Sequence, residues 1–241
     1  MKADAQVATR EASDVLAEAQ PADLQPGQRL SDLAYTRILE NLFDRRLPAG
    51  AFVSQNDLVK LLGIPVAPLR DALRTLEVEG ILTIHPRSGI QFVKPGMELT
   101  KSTYQFRTII ERAAVRTFAE LGDEDLIAQI GSRHRAVAVQ IEKTGLTPET
   151  MEEIEVLESL LHNSVIDVLR NPLIDVSYKR MHNYLRLVRL DRKMTVPLAQ
   201  RSIKEHLEII DACATRNPDH AEAALVAHFH AALQRHLGMF I

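Results

Sequence analysis

Apolar positions recur at helical spacing from Ser31 to about Arg46, with Leu33, Ile38, Leu42 and Phe43 on one side, and Pro48-Ala49-Gly50 ends the pattern. Ser54 and Asp57 form a capping-box-like start for a short second helix carrying Leu58, Leu61 and Leu62, and Gly63 permits a tight turn after it. A third helix follows with Leu69, Ala72, Leu73 and Leu76 at helical spacing, ending at Glu79-Gly80. The period then changes. Ile81-Leu82-Thr83-Ile84 and Ile90-Gln91-Phe92-Val93 flank His85-Pro86-Arg87-Ser88-Gly89, which predicts a β-hairpin around a Pro/Gly turn. Three helices followed by a hairpin predict a winged helix-turn-helix, closed by Pro95-Gly96.

Beyond Glu98 the pattern is helical throughout, punctuated by Gly122, Gly145 to Pro148, Asn171-Pro172, Pro197 and Asn217-Pro218. It predicts six helices, at roughly 99 to 121, 123 to 143, 149 to 170, 172 to 193, 198 to 216 and 218 to 238. Their lengths suit an antiparallel bundle. The predicted fold is therefore mainly α: an N-terminal winged helix-turn-helix over residues 29–96, then an all-α antiparallel bundle of six helices over residues 97–241. Residues 1–28 mix Ala, Asp, Glu and Gln with Pro21, Pro26 and Gly27, and are expected to form a flexible arm.

Composition agrees with this division. At 241 residues the chain is long enough for two domains with cores of their own, and 46% hydrophobic content with only 5% aromatics disfavours a β-sandwich. A single cysteine, Cys213, excludes an internal disulfide framework and a cysteine-based zinc finger. The absence of a signal-peptide h-region and of any apolar run long enough to cross a bilayer predicts a soluble cytoplasmic protein without a membrane partner. Net charge is -3 for residues 1–28, +2 for 29–96 and -2 for 97–241. Only the middle segment is basic, and by so little that a nucleic-acid reading needs motif support.

The bundle offers a sharper constellation. Glu158 and His162, four residues apart, share a helical face with Leu161, Val165 and Leu169. His206 accompanies Ile203, Leu207 and Ile210, and His228 accompanies Leu225, Ala232 and Leu233. Three histidines and a carboxylate thus fall on apolar faces of three helices. Burying them unpaired is costly, and one divalent cation would satisfy all four. Each histidine alone reads more simply as a core side chain; the combination favours a metal. Zinc is the first choice for imidazole and carboxylate donors, with nickel or manganese as alternatives. Among the other histidines, His230 should face away from His228, His134, His220 and His236 should be solvated, and His182 is a weaker candidate for the cavity wall.

Leu58-Val59-Lys60-Leu61-Leu62-Gly63, followed by Pro68-Leu69-Arg70-Asp71-Ala72-Leu73-Arg74-Thr75-Leu76-Glu77-Val78-Glu79-Gly80-Ile81-Leu82, resembles the helix-turn-helix of GntR-family bacterial transcription regulators. The helical remainder resembles the FCD effector domain of the FadR subfamily, in its VanR-like branch. The resemblance implies that the third helix enters the major groove of a palindromic operator, with Arg70 and Arg74 on its reading face. Arg87 in the wing, with Arg45, Arg46 and Lys60, would contact phosphates. The family's Ser-Arg-Thr before the proline is replaced by Pro65-Val66-Ala67, and Asn56 stands where an arginine is common.

The four bundle residues match the family's metal motif, with Glu158 in place of its usual Asp. Arg107, in Arg107-Thr108-Ile109-Ile110-Glu111, matches a family Arg-x-x-x-Glu that meets anionic ligands; the competing reading is an ordinary i,i+4 pair with Glu111. The resemblance further implies a homodimer, a small organic-acid effector at the metal, and regulation by repression. Two other readings stay open from the residues: a metal-dependent enzyme of the helical-bundle class, disfavoured by the winged head and by the lack of a nucleophile elbow, P-loop or dinucleotide fingerprint, and a ligand sensor with weakened DNA binding, motivated by Val66.

Overall fold

The computed structural model describes residues 28–190 and 193–237, so the arm expected at residues 1–28 falls, apart from Gln28, outside the described residues. Contacts divide the chain between Pro95 and Gly96 into two compact units.

The first unit contains α1 (Leu30–Phe43), β1 (Phe52–Val53), α2 (Gln55–Leu62), α3 (Val66–Val78), β2 (Leu82–His85) and β3 (Gly89–Phe92). Ser54 opens α2 with the predicted capping box: its Oγ accepts the Asp57 N–H at 3.1 Å while Asp57 accepts the Ser54 N–H at 3.2 Å. Gly63, at φ 64°, closes α2 in the left-handed conformation that lets α3 begin at once. The two helices and α1 bury Leu33, Ile38, Leu42, Leu58, Leu69, Leu73 and Leu76 together, with Ile90 and Phe92 of the wing also buried.

Two details differ from the sequence reading. Helix α1 ends at Phe43 rather than near Arg46, because Arg45 turns to φ 61° and the Leu47 N–H returns to the Asn41 carbonyl. The wing has three strands, not two, in the order β1-β3-β2, all antiparallel. With two residues paired to Gln91 and Ile90, β1 is too short to leave an alternating pattern in the sequence.

The second unit is the predicted set of six helices: α4 (Met97–Leu121), α5 (Glu124–Thr144), α6 (Pro148–Asp167), α7 (Pro172–Arg189), α8 (Val196–Ala214) and α9 (Pro218–His236). Their starts follow local chemistry. Asp123, Thr147, Asn171 and Asn217 each accept a backbone N–H from the first turn, and α6 to α9 carry proline in that turn. Arg216, at φ 54°, donates to the carbonyls of Ala119 and Gly122 at 3.2 and 2.8 Å, satisfying acceptors that α4 leaves open at its end. Helix α4 is central, packing on α6, α7, α8 and α9, while α8 also packs on α5. The consequence for function is that inward faces of α4, α6, α8 and α9 meet in one interior.

Among the described residues no helix is long and apolar enough to cross a membrane. Cys213 lies in the bundle core, fully buried, and burial pushes its thiol up to about 12. It should therefore resist a thiol reagent in the folded protein and react only on unfolding in denaturant. Rapid labelling under native conditions would contradict the packing of α8.

Candidate functional site

Glu158 and His162 on α6, His206 on α8 and His228 on α9 come together as predicted. One ligand atom from each lies within 4.8 Å of the others, and the four side chains are almost entirely buried. Hydrogen bonds fix how the three rings are protonated. His162 Nδ1–H donates to Glu111 at 2.5 Å, and His228 Nδ1–H donates to Glu205 at 2.8 Å. His134 donates through Nδ1 to the Ile130 carbonyl at 2.8 Å, which leaves its Nε2 as an acceptor for His206 Nδ1–H at 3.2 Å. Every Nδ1 thus holds its proton outward, and every Nε2 carries a bare lone pair.

All three Nε2 atoms are buried and without a hydrogen-bond partner. They also face negative charge: His206 Nε2 is 3.2 Å and His162 Nε2 3.5 Å from Glu158 oxygens. Lone pairs turned toward a carboxylate repel one another unless a cation lies among them, and nitrogen and oxygen donors in this number fit a divalent metal. Burial lowers the pKa of all three histidines, keeping them neutral and competent to donate.

A layer of charges surrounds these donors. Arg107 is completely buried on α4; its Nε donates to Glu111 at 2.6 Å, its Nη2 reaches Glu158 at 3.3 Å, and it lies over the Phe229 ring, 4.5 Å from its centroid. Burial would discourage its charge, but Glu111 foremost, with Tyr178 and Glu158 after it, keeps the guanidinium protonated. Burial likewise opposes the charge on Glu111, and Arg107 and His162 overcome it, bringing that carboxyl down to about 2. Tyr178 completes Glu111 with a hydroxyl donated at 2.9 Å. Arg189 of α7 donates to Glu158 at 2.6 Å, and Arg235 of α9 donates to both oxygens of Glu205 at 2.7 and 2.9 Å.

The sequence reading therefore needs correction at two places. His134 is fully buried, not solvated; it follows Ile127 and Ile130 and precedes Val137 and Ile141 on one inward face, whereas only its sequence neighbours are polar. His236 is half-buried rather than solvated, its Nδ1 within 2.8 Å of the Ala232 carbonyl and 3.2 Å of the Tyr104 hydroxyl. His220 and His230 are exposed as expected, and His182 is half-buried. The i,i+4 pairing of Arg107 with Glu111 exists, and it is buried. Glu111, Glu205, Arg189 and Arg235 were not anticipated around the four clustered residues. The sequence offered one signal, Glu205 lying next to His206; the others depend on which helices become neighbours.

In the head, Arg70 and Arg74 project from the exposed side of α3. Arg70 Nε donates to Gln55 of α2 at 3.2 Å, and Arg74 lies 4.0 Å from Asp71. Pro65, at the start of α3, offers no side-chain cap, and Val66 and Ala67 are exposed beside it. Arg87 sits at the wing turn with φ 64°, exposed, while Arg45 and Arg46 are exposed after α1 and Lys60 is exposed on α2.

Residues 102–231 match the FCD domain, and residues 23–92 match the bacterial regulatory proteins of the gntR family. This chain belongs to the GntR transcriptional regulators that carry an FCD domain. It is 22% identical over 200 residues to the HTH-type transcriptional regulator YdhC of Bacillus subtilis (strain 168), covering 81% of this chain and 86% of that protein. It is 19% identical over 222 residues to the HTH-type regulator BphR of Paraburkholderia xenovorans (strain LB400), covering 90% and 89%. Solved structures share the fold: a GntR regulator from Rhodococcus sp. RHA1 has a TM-score of 0.70 at 19% identity, covering 88% of this chain and 99% of that one. E. coli McbR/YncC has a TM-score of 0.69 at 16% identity, covering 89% and 100%. GntR regulators bind DNA, FCD domains bind small-molecule effectors, and both domains are those of transcriptional regulators.

Within this FCD domain, removing the Arg107 guanidinium strands the buried Glu111 carboxylate. Arg107→Ala should destabilise the bundle by about 3 to 5 kcal/mol, the usual consequence of breaking one side of a buried pair. Urea unfolding followed by circular dichroism measures it, and a loss below about 1 kcal/mol would show that Arg107 is dispensable to the fold.

Proposed function

We propose that this chain is a homodimeric repressor whose grip on a palindromic operator is released by a small carboxylate-bearing metabolite bound at a metal in the FCD domain. Residues 29–96 serve as the DNA-binding domain and 97–241 as the effector-binding and dimerisation domain, working in the cytoplasm. The observation that carries this reading is the trio of buried, bare Nε2 atoms converging on Glu158 in a chain whose head is of DNA-binding type.

Glu158, His162, His206 and His228 would hold the ion, for which zinc suits the donor set best and nickel or manganese would also serve. Such an ion supplies Lewis acidity and two positive charges, enough to anchor an anion. The protein's own groups do the rest. Glu111, His134 and Glu205 fix the tautomer and orientation of the three rings, so the donor set is preformed. Because the four donors come from α6, α8 and α9, an occupant among them would couple these three helices at one point. An effector that binds differently to DNA-competent and DNA-incompetent arrangements then shifts their balance.

At the operator, two heads present α3 to half-sites about one DNA turn apart, or a multiple of it. Arg70 and Arg74 read bases, with Gln55 orienting the Arg70 guanidinium. Arg87, Arg45, Arg46 and Lys60 add phosphate contacts.

Two experiments test this reading. His206→Ala and His228→Ala should each lose the metal, measured by elemental analysis, and lose the effector response while the head still binds DNA. Glu158→Gln should be milder, since an amide oxygen still coordinates weakly. Unchanged metal content in both histidine variants would return these residues to ordinary core packing. In a mobility assay, Arg70→Ala should weaken operator binding by roughly 1 to 3 kcal/mol and relax selectivity at one position, whereas Lys60→Ala should weaken operator and random DNA alike. Equal losses on both DNAs for both variants would reduce Arg70 to a phosphate contact.

A further inference from the structure

The leading end of α3 carries no hydrogen-bonding side chain. Pro65, Val66 and Ala67 stand exposed one after another, Val66 at 38%, while Leu69, Ala72, Leu73 and Leu76 turn the other side of the helix into the core of the head. A single exposed valine on a protein surface is ordinary. Here it belongs to three successive apolar residues at the end of the second helix of a helix-turn-helix, and that is the end that meets base edges. Val66 and Arg70 are four residues apart, as are Arg70 and Arg74, so the apolar tip leads directly into the two arginines on the exposed side of α3. Arg70 Nε donates to Gln55 at 3.2 Å, which commits one donor to the protein and leaves the two terminal nitrogens for a guanine.

The chemistry of the major groove limits what such a tip can read. Every base pair presents hydrogen-bond donors or acceptors there, but only one apolar group, the C5-methyl of thymine. A valine pressed against the edge of guanine, cytosine or adenine strips water from donors and acceptors and returns no bond, which costs free energy. Against a thymine methyl the same contact removes apolar surface from water on both partners, which is favourable.

We infer that Val66 is a specificity-determining residue that reads a thymine methyl, so that each operator half-site carries a thymine within about two base pairs of the guanine read by Arg70. The spacing follows from geometry: four residues of helix rise about 6 Å, against about 3.4 Å for each base step. This inference rests on the base-reading role given to Arg70 above and adds a second base, of different chemistry, to the sequence that α3 recognises. It also assigns the two exposed ends of the reading face different tasks, apolar contact at Val66 and hydrogen bonding at Arg70.

The test begins with the full-length protein selecting its operator from a pool of random duplexes, and the guanine whose selectivity relaxes in Arg70→Ala marks the reference position. Thymines of one half-site are then replaced singly by deoxyuridine, which removes the methyl and nothing else. At one thymine within two base pairs of that guanine the wild type should bind the deoxyuridine duplex about fourfold more weakly, the worth of one buried methyl-sized group. Val66→Ala, measured on the same two duplexes, should bring that ratio close to one; because the ratio compares two DNAs with one protein, it is insensitive to any change in folding. Indifference of the wild type to every such methyl overturns the inference and leaves the Arg70 reading standing. A fourfold ratio that survives in Val66→Ala also overturns it, passing the methyl to another residue. Protein that selects no sequence from the pool defeats both.

Discussion

Three imidazole lone pairs and a carboxylate turned toward one point inside a helical bundle form an arrangement that cannot persist on packing alone. Each donor is held there by a partner on its far side: Glu111 for His162, His134 for His206, Glu205 for His228. These partners are held in turn, Glu111 by Arg107 and Tyr178, Glu205 by Arg235, His134 by the Ile130 carbonyl. The rest of the bundle follows from this constraint. Helices α4, α5, α6, α8 and α9 each contribute at least one residue to it, so their relative placement is coupled to the site as well as to the apolar core around it.

In the proposed reading, that coupling is what lets the domain signal. A site built within one helix pair would change little else when filled. Here an occupant draws on α6, α8 and α9 directly and, through Arg107 and Arg189, on α4 and α7 as well. Differential affinity for two helix arrangements is all that a population shift requires.

Much of this was legible in the sequence because helices write their inward faces at a fixed spacing. The four ligand positions, the six-helix bundle and the capping box at Ser54 all follow from residues three or four apart. What was hidden depends on neighbours in space. His134 looked polar beside Arg133 and Arg135, although its own face is Ile127, Ile130, Val137 and Ile141. The i,i+4 spacing of Arg107 and Glu111 left open whether the pair lies at the surface or inside, since spacing alone does not distinguish the two. Strand β1 was missed because pairing of two residues with β3 leaves no periodicity to detect. The ion pair of Arg189 with Glu158 joins residues 31 apart in sequence on two helices, a relation that no local pattern records.

The central claim is that a divalent cation holds the Nε2 atoms together. Its most direct test is the thermal melt of the wild-type protein after exhaustive chelation, compared with the same sample given one equivalent of zinc, nickel or manganese. Binding to the folded state alone raises stability by mass action, so at least one of these ions should raise Tm well beyond the scatter of repeat melts, with saturation at one ion per chain. Identical melts for the chelated protein and for all three metal-supplemented samples would contradict the account.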